Sequence, residues 1–230
     1  MLPLSYALRN LWRRRVRTLI TLGGISLIAT LVVLMGGFAS GLSTTARESA
    51  AADVMVLTGN ASEHDMVRSV ITRGNAEAAA AGIPYVAEIG GRRAVSIELH
   101  IATRKDDRIG LLRGVTDGAY LVHERITVVE GREPREPFEL MAGRLAAQRM
   151  GYPDDEFAVG KVVQLEGMDW RVVGRFAAPG TVLEAELWGR LDDISLATRR
   201  TDVSCVAVRL ADPANMGKVG LWINRNGVEY

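Results

Sequence analysis

"LRNLWRRRVRTLITLGGISLIATLVVLMGGFASGL", residues 8–42, sets a knot of arginines against a long run without charge. Between Arg17 and Arg47 no side chain is ionisable, and a mostly apolar run of that size exceeds the roughly 20 residues a helix needs to cross a bilayer. A secretory signal has an apolar region of only about 7–15 residues ahead of a small-residue cleavage site. This run is too long, although Gly37, Ala39 and Ser40 near its end imitate such a site. The expectation is a membrane anchor over residues 18–42. Basic residues beside a span are retained in the cytoplasm. Arg13, Arg14, Arg15 and Arg17, with Arg9 adding to the cluster, are therefore expected to determine topology. Residues 1–17 then form a cytoplasmic basic segment, and residues 43–230 lie across the membrane.

Ahead of the span, Leu4, Leu8, Leu11 and Trp12 fall at helical spacing, with arginines at the other positions. Two readings stay open. One is an interfacial helix, with Trp12 at the headgroup level and arginine stems reaching anionic lipid phosphates. The other is a topogenic charge cluster alone. Lipid is the partner in the first reading, and neither requires nucleic acid.

The chain has 230 residues and a formal charge of +1, so no basic surface or acidic tail dominates it. Removing the anchor leaves roughly 185 residues, enough for one sizeable domain or two small lobes. That part has to fold without staples, because Cys205 is the only cysteine. In "DVSCVAVRL" Cys205 alternates with its neighbours, as a strand residue facing a core does.

The pattern beyond the anchor mixes helices and strands, an α+β domain. "DVMVL" reads as a first strand, "GNASEHD" as a polar loop, and Met66 to Ala80 as a helical stretch. "IGLLRGV" and "RITVVEG" read as strands, with Thr116, Asp117 and Gly118 opening a short helix between them. A helix around Arg144 to Met150 should stop at Gly151, ahead of Pro153. "GKVVQLEGMDWRVVGRFAAPG" pairs two strands across Glu166 and Gly167, with Val163 and Leu165 facing Trp170 and Val172. Thr181 and Glu184 have capping-box spacing, which predicts a helix over "VLEAELWGRLDDISLA" striped by Leu183, Leu187, Leu191 and Ile194. A strand at Val203 to Leu210 and a helix from about Pro213 to Asn224 complete the domain.

Several chemistries are excluded by residue type and spacing. Around Gly160 and Lys161 a phosphate loop would need glycine at Asp155 and serine or threonine at Val162, so the chain is not its own ATPase. His64, His100 and His123 have no second histidine or cysteine at ligand spacing and read as surface residues. Ser40 is one position out of register for a hydrolase elbow and lies at the end of the span. Asp154, Asp155 and Glu156 read as a solvated turn, and Asp192 and Asp193 as a helix surface. Asn60 matches a glycosylation triplet, which chance also produces. No catalytic, metal or cofactor-binding residue is expected.

With these residues in view, the chain resembles the permease subunits of MacB-type ABC transporters, which include the lipoprotein-releasing permeases, and the broader FtsX-like superfamily. The match lies in "ALRNLWRRRVRTLITLGGISL", "AGRLAAQRMGY", "VGKVVQLEGMDWRVVGRFAAPGT" and "AELWGRLDDI", in the family's order. The resemblance implies a bacterial inner-membrane protein whose main domain is periplasmic. It implies a separate cytoplasmic ABC ATPase, a second permease subunit forming a dimer, a periplasmic adaptor in some systems, and mechanotransmission for efflux or lipoprotein release. Gly37 with Gly41, and Gly36 with Ser40, recur at four-residue spacing and offer a helix–helix contact in lipid. Family permeases carry three further membrane helices after this domain. Nothing beyond Leu42 here is long and apolar enough to span, so a fragment, a split gene and a solitary anchored domain are all compatible. The alternative function is a single-pass anchored binding or adaptor module that works without an ATPase.

Overall fold

The computed structural model describes residues 13–49, 51–59 and 66–226. The proposed interfacial segment with Leu4, Leu8, Arg9, Leu11 and Trp12 lies outside the described residues, as do Asn60 and His64. The chain divides into two units, one ending at Arg47 and one beginning at Glu48.

The first unit is one helix, α1 (Arg15–Ser49). Its stretch Arg15–Gly41 has a mean hydropathy of 2.3 and is unburied, long and apolar enough to cross a membrane. Thr21 and Thr30 donate to the carbonyls of Arg17 and Ser26, one turn back, which satisfies their hydroxyls within the helix. The helix runs on past Gly37, Ala39 and Ser40 without a break.

The second unit is built on a nine-stranded sheet. Its strands are β1 (Val54–Thr58), β5 (Val95–Lys105), β6 (Arg108–Val115), β7 (Thr127–Gly131) and β8 (Glu139–Gly143). They are joined by β9 (Val162–Leu165), β10 (Met168–Ala177), β11 (Glu186–Arg190) and β13 (Cys205–Arg209). Between β1 and β5 lie the short β2 (Ile71–Thr72), β3 (Glu88–Ile89) and β4 (Arg92–Arg93), and β12 (Asp202–Val203) precedes β13. The order across the sheet is β1-β13-β5-β6-β11-β8-β10-β7, with β9 also on β10. All junctions are antiparallel except β6 with β11 and β8 with β10.

Two hairpins follow from turn chemistry. Asp106 and Asp107 join β5 to β6, and Glu166 and Gly167 join β9 to β10, each pair with φ positive at both residues. That is the backbone a two-residue turn needs to match strand twist. The β9–β10 register opposes Val163 to Trp170 and Leu165 to Met168. Trp170 is fully buried, its indole N–H donating to the Leu165 carbonyl at 3.1 Å.

Alternation along the strands divides the sheet into two faces. Leu99, Leu112, Leu140, Leu187, Val206 and Val208 belong to the main core with Trp170. This face is covered by α2 (Arg73–Gly82), α4 (Ala146–Met150), α5 (Leu191–Thr198) and α6 (Met216–Asn226), through Ala79, Ala147, Ile194 and Val219 among others. On the other face Val115, Met141, Phe176 and Trp188 form a smaller cluster with Ala119, and Val122 packs with Ala207. The cover there is the four-residue helix α3 (Ala119–Val122), which follows Thr116, Asp117 and Gly118 as expected.

Helix α4 stops at Gly151, whose left-handed φ of 74° lets its N–H reach back to the Gln148 carbonyl. Gly114 and Gly189 are paired across β6 and β11. A Cβ on Gly114 would come within 3.2 Å of the Leu191 Cα, so glycine is what lets α5 lie directly on the sheet.

Four expectations are corrected. Residues 182–198 are not one helix: Val182–Ala185 is a 3-10 turn, Glu186–Arg190 is strand β11, and only Leu191–Thr198 is α-helical. Thr181 and Glu184 close a turn instead of capping a helix, the Thr181 hydroxyl donating to the Ala178 carbonyl and Glu184 accepting from the Ala178 N–H. Over so short an apolar run, helical and strand periodicity both bury Leu187 and Leu191, and pairing with β6 and β8 decided for strand. Helix α2 begins at Arg73, not near Met66, because Ile71 and Thr72 pair with β12 and Thr72 caps the helix. The last helix starts at Met216 after a 3-10 turn at Pro213–Asn215, where the Asp212 side chain caps. Strands β5 and β8, at the centre of the sheet, had no sequence reading.

Candidate functional site

The second face of the sheet carries a buried cluster of charged and polar side chains. Strand alternation aims Glu98 and His100 from β5, Arg113 from β6, Glu186 and Trp188 from β11 and Cys205 from β13 to the same side. Registers bring them together: His100 lies opposite Arg113, Cys205 opposite Glu98, and Trp188 beside Arg113. All six are buried.

Arg113 organises the cluster. Its Nε and Nη2 donate to the two oxygens of Glu186, each at 2.7 Å, and its Nη1 donates to Glu98 Oε2 at 2.7 Å. The guanidinium also lies over the Trp188 ring, 5.2 Å from its centroid, and the Trp188 indole N–H donates to Glu186 Oε2 at 2.8 Å. Glu98 holds both histidines: His123 Nε2 is 2.7 Å from Oε1, and His100 Nε2 is 3.1 Å from Oε2. Every carboxylate oxygen in the cluster thus has a charged or polar partner, as burial demands.

Charge states follow from these neighbours. Burial by itself would raise Glu98, but the charges of His123 and Arg113 outweigh it and hold the carboxyl well below the usual range. Burial likewise opposes the charge on Arg113, and Glu186 and Glu98 more than restore it. Burial and the Arg113 charge push His100 down, against its bond to Glu98. Burial pushes the Cys205 thiol well up, with Glu98 adding to it. Glu98 and Arg113 are therefore charged, while His100 and Cys205 are neutral near pH 7.

This chemistry is structural. A nucleophilic relay needs the carboxylate on one imidazole nitrogen and the nucleophile on the other. Here the same His100 Nε2 faces Glu98 at 3.1 Å and the Cys205 sulfur at 3.8 Å. Glu98, His100 and Cys205 do place ligand atoms within 4.8 Å of one another, a donor set that suits a transition metal. The surroundings do not suit one, because Arg113 donates to the same Glu98 oxygen and would face the metal charge across a dry interior.

His100 and His123 are thus not solitary surface residues: the fold joins both to Glu98, and His100 is buried. The signal in the sequence is Glu-x-His inside an apolar strand, a polar pair where burial is continuous. Cys205 faces the interior as expected. Asp192 is exposed and pairs with Arg73 at 2.6 Å, but Asp193 is not a surface residue: it is buried and accepts from the Phe138 N–H. Asp155 pairs with Lys161 and Glu156 with Lys105, at a surface turn.

The residues expected to set topology and helix contact lie elsewhere. Arg13, Arg14, Arg15 and Arg17 are exposed at the start of α1. Gly36, Gly37, Ser40 and Gly41 are on the same helix, and a Cβ on Gly36 or Gly37 would meet nothing within 4 Å.

Known proteins match this architecture. The extracellular domain of the noncanonic ABC-type transporter YknZ from Gram-positive bacteria is similar over 76% of this chain and 95% of its own, with 15% identity and a TM-score of 0.54. The periplasmic region of MacB from Actinobacillus actinomycetemcomitans is similar over 80% of this chain and 88% of its own, with 13% identity and a TM-score of 0.55. At such identities the likeness is one of fold. No curated protein matches the chain. The sequence model of the MacB-like periplasmic core domain matches residues 18–224, from inside the apolar helix to the last helix of the domain. By that match the chain belongs to the MacB-like periplasmic core domain family.

Proposed function

We propose that this chain is the N-terminal part of a MacB-like ABC transporter permease subunit, which couples a separate cytoplasmic ATPase to work outside the inner membrane. The observation that carries the reading is the extent of the family match. It takes in the apolar helix and the mixed domain as one unit, over residues 18–224. In this reading the ATPase moves the membrane helices, and α1 conveys the movement to the domain, for efflux or lipoprotein release. Energy then crosses the bilayer through the protein, and the domain needs no nucleotide site or catalytic group. A second permease subunit packs nearby, with Gly36, Gly37, Ser40 and Gly41 as the close-approach surface. Arg13, Arg14, Arg15 and Arg17 hold the N-terminus in the cytoplasm.

Two measurements test it. Expressed with its cognate ATPase and remaining permease segments, the chain should copurify with them, and crosslinks between cysteines placed in the domain should change with nucleotide state. A verified complex whose crosslinks ignore ATP would replace mechanotransmission with a static anchored adaptor. A reporter fused after Tyr230 should be active outside the cytoplasm. Neutralising the four arginines should scramble that orientation, and a reporter active only inside would overturn the topology.

A further inference from the structure

Away from the buried cluster, one cleft of the domain gathers arginines from three separate elements. It has a volume of about 590 Å³ and is lined by Arg73 from α2, Arg92 and Arg93 from β4, and Arg190 from β11. That volume falls within the roughly 300–1,000 Å³ of ligand-binding clefts. Two aspartates, Asp117 and Asp192, share the lining, and Val115 and Leu191 give it a buried apolar wall. Two of the four guanidinium groups are committed to the fold. Arg73 holds Asp192 at 2.6 Å and Glu77 at 3.1 Å. Arg93 donates to the carbonyls of Ala80, Ala81 and Ile83 at the end of α2. The other two, Arg92 and Arg190, form no ion pair with any described residue.

We propose that this cleft binds a phosphate group, with Arg92 and Arg190 as its principal ligands. Both side chains start from fixed backbone. Arg92 follows the Gly90–Gly91 turn of the β3–β4 hairpin and pairs with Ile89, while its neighbour Arg93 ties that hairpin to α2. Arg190 ends β11 opposite Val115 of β6. Fixed backbone lowers the entropy lost when a ligand binds. A guanidinium keeps its charge throughout the pH range of folded proteins and presents a planar fork of N–H donors. A carboxylate has two oxygens and fills one such fork, whereas the oxygens of a phosphate point in several directions and serve two forks from separate elements. Helix α5 adds to the same preference. Its first turn lines the cleft through Leu191 and Asp192, and Arg190 at its N-cap supplies no side-chain acceptor for the N–H groups there. Such a terminus favours an anion. An anionic lipid headgroup and a soluble phosphate ester both bring this chemistry. The inference does not depend on the transporter reading.

The test uses the full chain in a phosphate-free maltoside detergent and follows backbone amide shifts by NMR. One titration adds glycerol 3-phosphate, and a second adds a short-chain phosphatidylglycerol. Saturable shifts confined to residues 90–93, 116–118 and 190–192 are expected in at least one of them. Glycerol 3-phosphate alone would identify a soluble ester as the source, and phosphatidylglycerol alone a lipid headgroup. Because the readout is local, lipid bound at the arginines of α1 does not enter it. Arg92→Gln and Arg190→Gln should each weaken the affinity at least fivefold, while Arg149→Gln, exposed on α4 outside the cleft, should leave it unchanged. Glutamate, added at the same concentrations, should bind at least tenfold more weakly than the better phosphate probe. Absence of saturable shifts at these residues with both probes overturns the proposal, and so does glutamate binding as tightly as phosphate. Both of those readings come from the wild-type chain, so a variant that fails to fold leaves the test intact.

Discussion

On one face of the sheet, Leu99, Leu112 and Leu187 meet Trp170 and the helices α2 and α5. On the other, one residue along the same strands, stand Glu98, Arg113, Glu186 and Trp188. Both faces are buried, and they are stable for different reasons. The apolar face gains from area removed from water, which is non-directional and tolerates exchange of one hydrophobe for another. The charged face gains only when every partner is in place, because each unmatched group carries its full desolvation cost. The difference also specifies register. A slip of one residue in β5 or β6 would drive Glu98, His100 or Arg113 into the apolar core. Among the described residues the charged face has the thinner cover, so more of its order rests on named bonds.

The comparison breaks most visibly at Arg113. Arg113→Met strands Glu98 and Glu186 together, and should lower unfolding stability toward the upper end of about 3–5 kcal/mol in urea titrations. Adding Glu98→Gln and Glu186→Gln should recover most of that loss, since a neutral interior no longer needs the guanidinium. A triple variant no better than the single one would mean that Arg113 acts by packing, not charge.

Trp170→Ala is the matching cut on the apolar face, expected toward the lower end of about 3–5 kcal/mol from lost burial and a cavity. Trp170→Phe should recover part of that, which no neutral substitute at Arg113 alone should do.

Glu139, at the margin of β8, sharpens the contrast between a shared charge network and a single pair. Arg132 outweighs burial there and, with the N–H groups of Arg135 and Glu136, holds the carboxyl at about 2. A depressed carboxyl contributes stability that is present above its unfolded value near 4.5 and lost as pH falls through about 2. Glu139→Gln should therefore flatten the acid limb of a pH–stability curve between those limits. At neutral pH it should cost about 1.5–3 kcal/mol. An unchanged acid limb would show that another carboxylate governs acid unfolding.

The smallest effects belong to the glycine pair under α5. Gly114→Ala meets the Leu191 Cα at 3.2 Å, whereas the tight contacts of Gly189→Ala are side-chain ends, Leu140 Cδ2 at 3.1 Å and Ile194 Cδ1 at 3.2 Å, with the Glu139 carbonyl oxygen at 3.4 Å, an ordinary contact. Both overpack the face by an amount on the order of 1–3 kcal/mol, with Gly114→Ala the larger because backbone cannot swing away. The reverse ranking in thermal melts would show that α5 shifts as a body.

What the sequence by itself determined about this protein is what neighbours along the chain decide among themselves. The uncharged run after Arg17 settles a helix long enough to span, because length and hydropathy are local sums. Glu166 and Gly167 settle the β9–β10 hairpin, and Gly151 ends α4, because positive φ is a property of single residues. Three of the four stretches that carry the family resemblance overlap these same segments. Only the tertiary structure decided the rest. Leu183, Leu187, Leu191 and Ile194 suit a helix stripe, yet pairing of Glu186–Arg190 with β6 and β8 made part of that run a strand. Glu98 meets Arg113, His123 and, through Arg113, Glu186. Those contacts span 15, 25 and 73 residues of chain. His100 meets Cys205 across 105. No local property encodes such meetings. They arise when hydrophobic pairing sets strand order and register, and the charged side chains, carried inward with the strands, must find one another or leave the interior unstable.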